Sequence, residues 1–547
     1  MNQAHRTTNT PVPSKPVFKR SSFVAVTSAD PSLSLRRAWP WWLLPALVAL
    51  ILVLLFVDPF IGDWDGMDYT ILSLAGYPSS MALGRNLFIF GNHSLYELAH
   101  WLFNVQPENA YLIFKYAVVA QAPLAVIACW VLARDFSGSL HTATLAALVI
   151  VFSPVFVLYG GQVMTDVPSV LLLAVALIIH YRGLQQDRLW LVMTGAALLG
   201  LGVNLRETIG FYLPWLIVAP FVCSWRPGRR RILIIATSCF LFFVFALGWF
   251  GFWFITDEHY RWVWFGWRES MRQETARHPV TVRNLWPYLT YFFVSAPLVF
   301  VSLPFAIMNE WRERRMSPLL LLAVTGLLAD LLLFLNYSTA VNWRYFLTGL
   351  PAIAPLCANF LIRVLTRRFS SARVAFATCQ AAVLILAIVF SLLLRPASKQ
   401  FIERRAMSKE YRHQLAKLPD DAVMISGSQT IAVTYWKAIG EGKWETIGTG
   451  GGWPGDNLVP VIEDYLQRRR RVFLDTDARW WLPCGWQRDE IPAIVDLQNR
   501  FSFLRVTDTI YEIRLRGDTS ATDSPNLERL LPENRPEDTK KCPQVQS

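Results

Sequence analysis

Residues 39–69 read WPWWLLPALVALILVLLFVDPFIGDWDGMDY. The first part, from Trp39 to Val57, is apolar with no charge, close to the ~20 residues a helix needs to cross a bilayer. The second part, Phe60-Ile-Gly-Asp63-Trp64-Asp65-Gly66-Met67-Asp68-Tyr69, sets three carboxylates within six residues just beyond that run. A membrane span ending in clustered acids poses two questions: how many spans follow, and what the acids do at the membrane edge. Acids favour helix N-termini, so a charged helix start is the simplest use for them.

Similar apolar runs recur at 111–133, 141–158, 167–181, 189–204, 208–223, 232–255, 287–308, 318–336, 345–362 and 374–394. With 39–57 they predict about eleven membrane helices, several of them short for a full crossing. The whole chain agrees. Of 547 residues 53% are hydrophobic and only 17% charged, with 23 Trp and 35 Phe. A soluble fold lacks the polar residues to cover so much apolar side chain, and disordered, coiled-coil and collagen-like classes are excluded on the same grounds. The fold class expected is a polytopic α-helical membrane protein with a small C-terminal extracytoplasmic α/β domain.

The net charge of +12 would suggest nucleic acid in a soluble protein. Here its distribution gives orientation instead, and no nucleic-acid partner is expected. With the N-terminus inside, Arg36-Arg37, Arg226 with Arg229-Arg230-Arg231, Arg312-Glu313-Arg314-Arg315, and Arg363 with Arg367-Arg368 fall on the cytoplasmic side. The odd span number then puts the C-terminal region outside. Of the seven cysteines, five lie in apolar runs and none shows CxxC or zinc spacing, so neither a disulfide framework nor a structural metal is expected.

Four regions follow. Residues 1–38 are polar, basic and without apolar periodicity, a disordered cytoplasmic segment by composition. The first apolar run starts too late for a signal peptide. Residues 39–397 form the membrane domain, with long outer loops at 58–110 and 256–286. Residues 398–516 become charged, and runs at 422–426, 444–448, 471–475 and 503–506 read as strands around an amphipathic helix at 458–469. Residues 517–547 read as a polar tail. No internal repeat is found, which weighs against inverted-repeat transporters.

A second acid lies on the same outer side, in Tyr159-Gly-Gly-Gln-Val-Met-Thr165-Asp166-Val-Pro168. Asp166 is placed to cap a helix with Pro168 in its first turn. Capping explains one acid but not acids at the membrane edge of two separate loops. The outer loop 256–286 breaks the sidedness rule with Arg261, Arg268, Arg272, Arg277 and Arg283. Arg261, Arg268 and Arg272 recur at helical spacing among Trp262, Trp264, Phe265 and Trp267. They suit an interfacial helix facing anionic headgroups, a clamp on a substrate phosphate, or both. Arg85, Arg206 and Arg344 are further outer-side cations, although Arg206-Glu207 also reads as a self-neutralising pair.

These motifs resemble the GT-C glycosyltransferases, and within them the protein O-mannosyltransferase and aminoarabinose-transferase-like group. Asp65-Gly66-Met67-Asp68-Tyr69 falls on that group's first-loop Asp-Glu pair followed by Tyr, with Gly66 in place of the Glu. Gln162-Val-Met-Thr-Asp166-Val-Pro168 and Arg344-Tyr345 before a Leu-Pro-rich span continue the likeness, which covers about 39–395.

The resemblance implies a polyprenyl-phosphate sugar donor and direct, inverting transfer to an acceptor hydroxyl on a glycan, lipid or protein. The setting it implies is the outer face of a bacterial cytoplasmic membrane. Such transfer needs a carboxylate to take the hydroxyl proton and positive charge at the departing phosphate. Asp65 is the expected base, Asp63 and Asp68 are the alternatives, and Asp166 is the second acidic residue. Arg261, Arg268, Arg272, Arg85, Arg206 and Arg344 are the candidate phosphate ligands. Some GT-C enzymes use a divalent cation at the phosphate, and the sequence leaves metal dependence open. A lipid or sugar transporter is the competing class, and a non-catalytic membrane subunit recruiting partners through 398–516 is a third.

Three further features weigh less. Gly450-Gly-Gly452-Trp-Pro-Gly455 matches G-x-G-x-x-G, but Trp453 and Pro454 do not suit the tight backbone approach, and a plain turn is favoured. His93, Glu97 and His100 fall on one helical stripe without the H-E-x-x-H arrangement. Asp330, inside an apolar span, is a functional candidate or an acid paired within the protein.

Overall fold

The computed structural model describes residues 39–57, 64–79, 83, 85–223, 228–277, 285–313, 316–336, 343–369, 372–427, 430–447, 458–477, 491–517, 523–531 and 534. It is mostly helical. The chain enters through α1 (Trp39–Leu55), and two helices follow, α2 (Trp64–Ala75) and α3 (Asn86–Phe103). The membrane core follows with α4 (Ala110–Ser137), α5 (Leu140–Val151), α6 (Pro154–Gly160), α7 (Asp166–Gln186) and α8 (Leu189–Val203). Next come α9 (Leu213–Cys223), α10 (Gly228–Thr256), α11 (Glu258–Arg277), α12 (Leu285–Ser295), α13 (Pro297–Arg312), α14 (Pro318–Asn336) and α15 (Phe346–Arg368).

Among the described residues four helices suffice by length and composition to cross a membrane: the one ending at Ser137, then α7, α10 and α15. The number is six if the bent pairs α5–α6 and α12–α13 each count as one span. The bends, 64° and 104°, fall where Pro154 and Pro297 remove a backbone donor and open the next helix. Shorter apolar helices at Trp39–Leu55, Leu189–Val203, Glu207–Cys223, Pro318–Leu332 and Ala381–Leu394 occupy the other positions read from the sequence. The chain is thus a polytopic membrane protein.

Helix packing here relies on small residues, because lipid competes for apolar surface and close backbone contact must supply the attraction. At Gly195 an added Cβ would collide with the backbone of His180 on α7, and at Gly200 with the carbonyl of Phe242 on α10. The glycines therefore let α8 nest between α7 and α10. By contrast α10 turns Phe240, Phe252 and Ile255 outward, a face that needs an apolar solvent. Cys129, Cys223, Cys239 and Cys357 are free thiols in this region.

The last membrane segment does not stop where the composition changes. It continues as one 44-residue helix, α16 (Ala372–Leu415), so the expected boundary at 398 falls inside a helix. Beyond it lies a five-stranded sheet of order β2-β1-β3-β5-β4, built from β1 (Val423–Ile425), β2 (Glu445–Ile447), β3 (Val472–Asp475), β4 (Phe501–Arg505) and β5 (Ile510–Leu515). β1 pairs parallel with β2 and β3, while β5 runs antiparallel to β3 and β4. Helices α17 (Thr430–Ala438), α18 (Leu458–Gln467) and α19 (Ile491–Arg500) cover it.

The unit extends past the expected end at 516. Leu527 and Leu530 are buried in its core, and Asp523 bridges to Phe503. The Gly450–Gly455 run lies outside the described residues.

Candidate active site

Asp65 and Asp166 meet three of the cations read from the sequence, Arg85, Arg206 and Arg344, at one end of α2 and α7. Asp65 sits in the first turn of α2, where the helix dipole favours a negative charge. Asp68 follows one turn on. Asp63 lies outside the described residues. Asp166 opens α7, but it does not cap that helix. Thr165 holds the capping position without a side-chain bond, and the Asp166 Oδ1 accepts a hydrogen bond from Arg206. Both partners are buried, and the Asp166 Oδ2 has no hydrogen-bond partner among the described residues.

Arg206 and Glu207 do not neutralise each other as their adjacency suggested. Arg206 is extended, with φ −155° and ψ 125°, so the two side chains leave the backbone in different directions. Arg206 goes to Asp166. The Glu207 Oε1 instead accepts from the Arg85 Nη2 at 3.4 Å. Arg85 in turn stands 4.0 Å from the Asp65 Oδ2, which accepts from the Arg344 Nη2 at 2.8 Å. Arg344 sits in a single 3-10 turn, Trp343–Tyr345, immediately before α15.

Three tyrosines space these guanidinium groups. Arg85 lies over Tyr69 at 5.3 Å, Arg206 over Tyr345 at 5.5 Å, and Arg344 over Tyr159 at 5.8 Å and Tyr345 at 5.6 Å. Cation–π contacts of this kind hold an arginine in place without using its hydrogen-bonding edge. Arg85 takes a left-handed backbone, φ 45°, unusual for a residue with so long a side chain. Local strain of this type collects at functional sites, where neighbouring contacts over-determine the conformation.

The electrostatics separate the two acids of α2, which lies outside the spanning helices. Burial works to raise the Asp65 carboxyl, but the charges of Arg344, Arg85 and Arg206 outweigh it and hold the group below the usual carboxylate value. Asp68 is left with burial and the repulsion of Asp65, only partly opposed by Arg85, and is pushed up to about 7. One carboxylate is therefore held ionised while its neighbour titrates near neutrality.

The arginines of the second loop are placed elsewhere. Arg261 donates to the carbonyls of Phe254 and Ile255 at the C-terminal end of α10, at 3.4 and 3.3 Å. Arg268 lies over Trp264, and Arg272 is paired with Glu269 at 3.0 Å in solvent. Their partners all lie on α10 and α11 among the described residues.

Asp330 is used structurally. Its carboxyl accepts from the backbone N–H of Gly349 in α15, and a Cβ at Gly349 would overlap it. The His93 and His100 Nδ1 atoms face the carbonyls of Ser73 and Val105, both at 2.8 Å. Among the described residues no three His, Cys, Asp or Glu side chains gather as a metal-binding set. Each of Asp65, Asp166 and Glu207 faces an arginine instead, so this side-chain set does not suit a cation.

The family described as "Dolichyl-phosphate-mannose-protein mannosyltransferase" matches residues 95–249, which include Asp166, Arg206 and Glu207. An undecaprenyl phosphate-alpha-4-amino-4-deoxy-L-arabinose arabinosyl transferase from Pseudomonas aeruginosa is 25% identical over 311 residues, covering 55% of this chain and 52% of the relative. Its counterpart from Pseudomonas fluorescens is 26% identical over 222 residues, covering 38% and 36%. The chain thus spans about half the length of the P. aeruginosa relative and less of the other. The crystal structure of ArnT from Cupriavidus metallidurans, bound to undecaprenyl phosphate, superposes with a TM-score of 0.54. That alignment covers 87% of this chain and 98% of that one at 14% identity.

The chain shares the fold of that crystal structure. On this frame Asp65, Arg85 and Arg344 lie outside the stretch matched by the family, while Asp166, Arg206 and Glu207 lie within it. The tertiary structure brings the two sets together. Adjacency in the sequence offers Glu207 only its neighbour Arg206 as a partner, and its contact with Arg85, 122 positions away, leaves no local signal.

Proposed function

We propose that this chain is a membrane glycosyltransferase that moves a sugar from a polyprenyl-phosphate-linked donor to an acceptor hydroxyl. The reading places the site on the outer face of a bacterial cytoplasmic membrane, with the N-terminus inside and the C-terminal domain outside. Its relatives' named substrates and the GT-C fold support the reaction class. The observation that carries it is the convergence of Arg85, Arg206 and Arg344 on Asp65, Asp166 and Glu207 at the ends of apolar helices.

Charge logic gives the steps. Buried arginines with fixed forks suit a phosphate, and they stabilise it most as the sugar–oxygen bond breaks and negative charge returns to it. When the donor phosphate takes up Arg85 and Arg344, Asp65 loses the cations that keep it weakly basic. It then accepts the proton of the attacking acceptor hydroxyl. Asp68, one turn along the same helix, titrates near neutrality and is suited to receive that proton next. Asp166 keeps Arg206 in place. Direct attack inverts the anomeric centre, and positive charge at the phosphate is assigned to the arginines.

The test is transfer from a polyprenyl-phosphate sugar by the full chain in proteoliposomes. Wild-type protein is expected to transfer, and Asp65→Asn to lose it. Unchanged turnover with Asp63, Asp65 and Asp68 all replaced by Asn would sink the assignment.

A further inference from the structure

Helix α2 is held from two sides. Asp65 and Asp68 share one face, three residues apart. Met67, Ile71 and Leu74, spaced by four and three, share another. That second face packs into the C-terminal unit. Met67 is 2% exposed and belongs to the same apolar cluster as Val423, Val433, Trp436 and Phe473, with Ile71 and Leu74 packed against it.

Helix α17 supplies the contact. Its Tyr435 meets Tyr111 of α4 edge-on at 6.5 Å, and the Tyr111 ring borders Gly66 of α2. The turn after α17 lies against Glu108, just before α4. Gly440 stands there at φ +86°, and a Cβ on it would come within 3.2 Å of the Glu108 carboxylate.

On its own α2 is a poor helix. It has 12 residues, a glycine in its first turn and two like charges three apart. Contacts must hold it. The arginines hold the acidic face only while they are paired with Asp65. In the reaction proposed above, the donor phosphate takes those arginines, and the apolar face is then the anchor left.

We propose that the C-terminal domain sets the position of α2, with Met67 and Tyr435 as positioning residues for Asp65 and Asp68. The catalytic consequence rests on the glycosyl-transfer reading, whereas the mechanical consequence does not.

The experiment compares Met67→Ala, Met67→Leu and Tyr435→Ala in the full chain in lipid nanodiscs. Hydrogen exchange is followed over residues 64–75, with a polyprenyl-phosphate sugar as the kinetic probe. Met67→Ala is expected to speed exchange in 64–75 while exchange in β1 and β3 stays native. Its kcat falls about tenfold or more because the acids are misplaced, with KM within about twofold. Met67→Leu, close in volume, restores both.

Native exchange over 64–75 in a folded Met67→Ala protein overturns the proposal. Should Met67→Ala fail to fold, Tyr435→Ala decides it by the same two readouts. A wild-type protein without transferase activity removes the reaction, and exchange over 64–75 then decides the anchor by itself.

Discussion

Asp166 and Arg206 lie 40 residues apart in the chain and form an ion pair with both side chains buried where α7 begins and the turn after α8 ends. The pair joins two helices that already pack closely through glycines. Removing one partner strands a charge in an apolar setting, which typically costs ~3–5 kcal/mol. Arg206→Ala is therefore expected to lower the thermal midpoint of the detergent-solubilised protein sharply. Asp166→Asn, which keeps one acceptor oxygen, should cost less. Equal midpoints for wild type and Arg206→Ala would show that water reaches the pair.

The acids of α2 predict opposite pH behaviour. Asp68 is raised above its unfolded value, so the folded state binds the extra proton between about 4 and about 7. Its contribution favours folding at the acid end of that window and is lost as pH rises through 7. Asp65 is lowered, so its contribution is present above the ordinary carboxylate range and is lost as pH falls through its depressed value. In turnover, a proton acceptor at Asp68 gives a rate that rises with pH through about 7 to a plateau above it. Asp68→Asn should remove that rise, which a pH–rate profile with wild type as reference measures. An unaltered profile excludes Asp68 from the proton path.

Much of this was legible in the sequence because the bilayer imposes a length on apolar runs that no tertiary contact can hide. The strands at 423–425, 445–447 and 472–475 were legible for a related reason, since short β-branched runs bounded by charge have few other uses. α17 and β5 were not. Thr430–Ala438 is too rich in β-branched and aromatic residues to declare itself helical, and it is held as a helix by packing on α2 and the sheet.

The acids of the site were visible as local motifs and Arg85, Arg206 and Arg344 as outer-side cations, but which cation faces which acid was not. Arg344 and Asp65 are separated by 279 positions, and only the fold makes them neighbours. Arg261, Arg268 and Arg272 carried the stronger pattern, and helical spacing alone cannot tell an interfacial helix from a phosphate clamp.

Gly349 offers a test of how tightly the turn before α15 is held. A methyl at this position would overlap the Asp330 carboxyl, so Gly349→Ala must push α14 and α15 apart or expel the acid. The loss is expected to be in the range of about 1–3 kcal/mol for overpacking. It should be accompanied by weaker donor binding, because Arg344 lies in this turn. Replacing Asp330 by Ala in the same chain makes room, so the double variant should recover much of the midpoint. Strictly additive losses in a double-mutant cycle would show that the two residues do not share this contact.

The two sets of arginines can be separated by their response to the donor. Arg344 is 6% exposed and bonded to Asp65, and Arg85 bridges Asp65 and Glu207. Arg268 and Arg272 are exposed on α11, one over an indole and the other paired locally. An exposed cation contributes little to a phosphate it does not touch, whereas a buried fork aimed at one contributes a charge-assisted pair of about 1.5–3 kcal/mol. Arg344→Gln should thus weaken binding of a polyprenyl phosphate by roughly tenfold to a hundredfold. The double variant Arg268→Gln, Arg272→Gln should stay within about threefold of wild type in neutral-lipid nanodiscs. Calorimetric titration of both proteins measures the difference. Equal losses would move the phosphate from the cluster around Asp65 to the surface of α11.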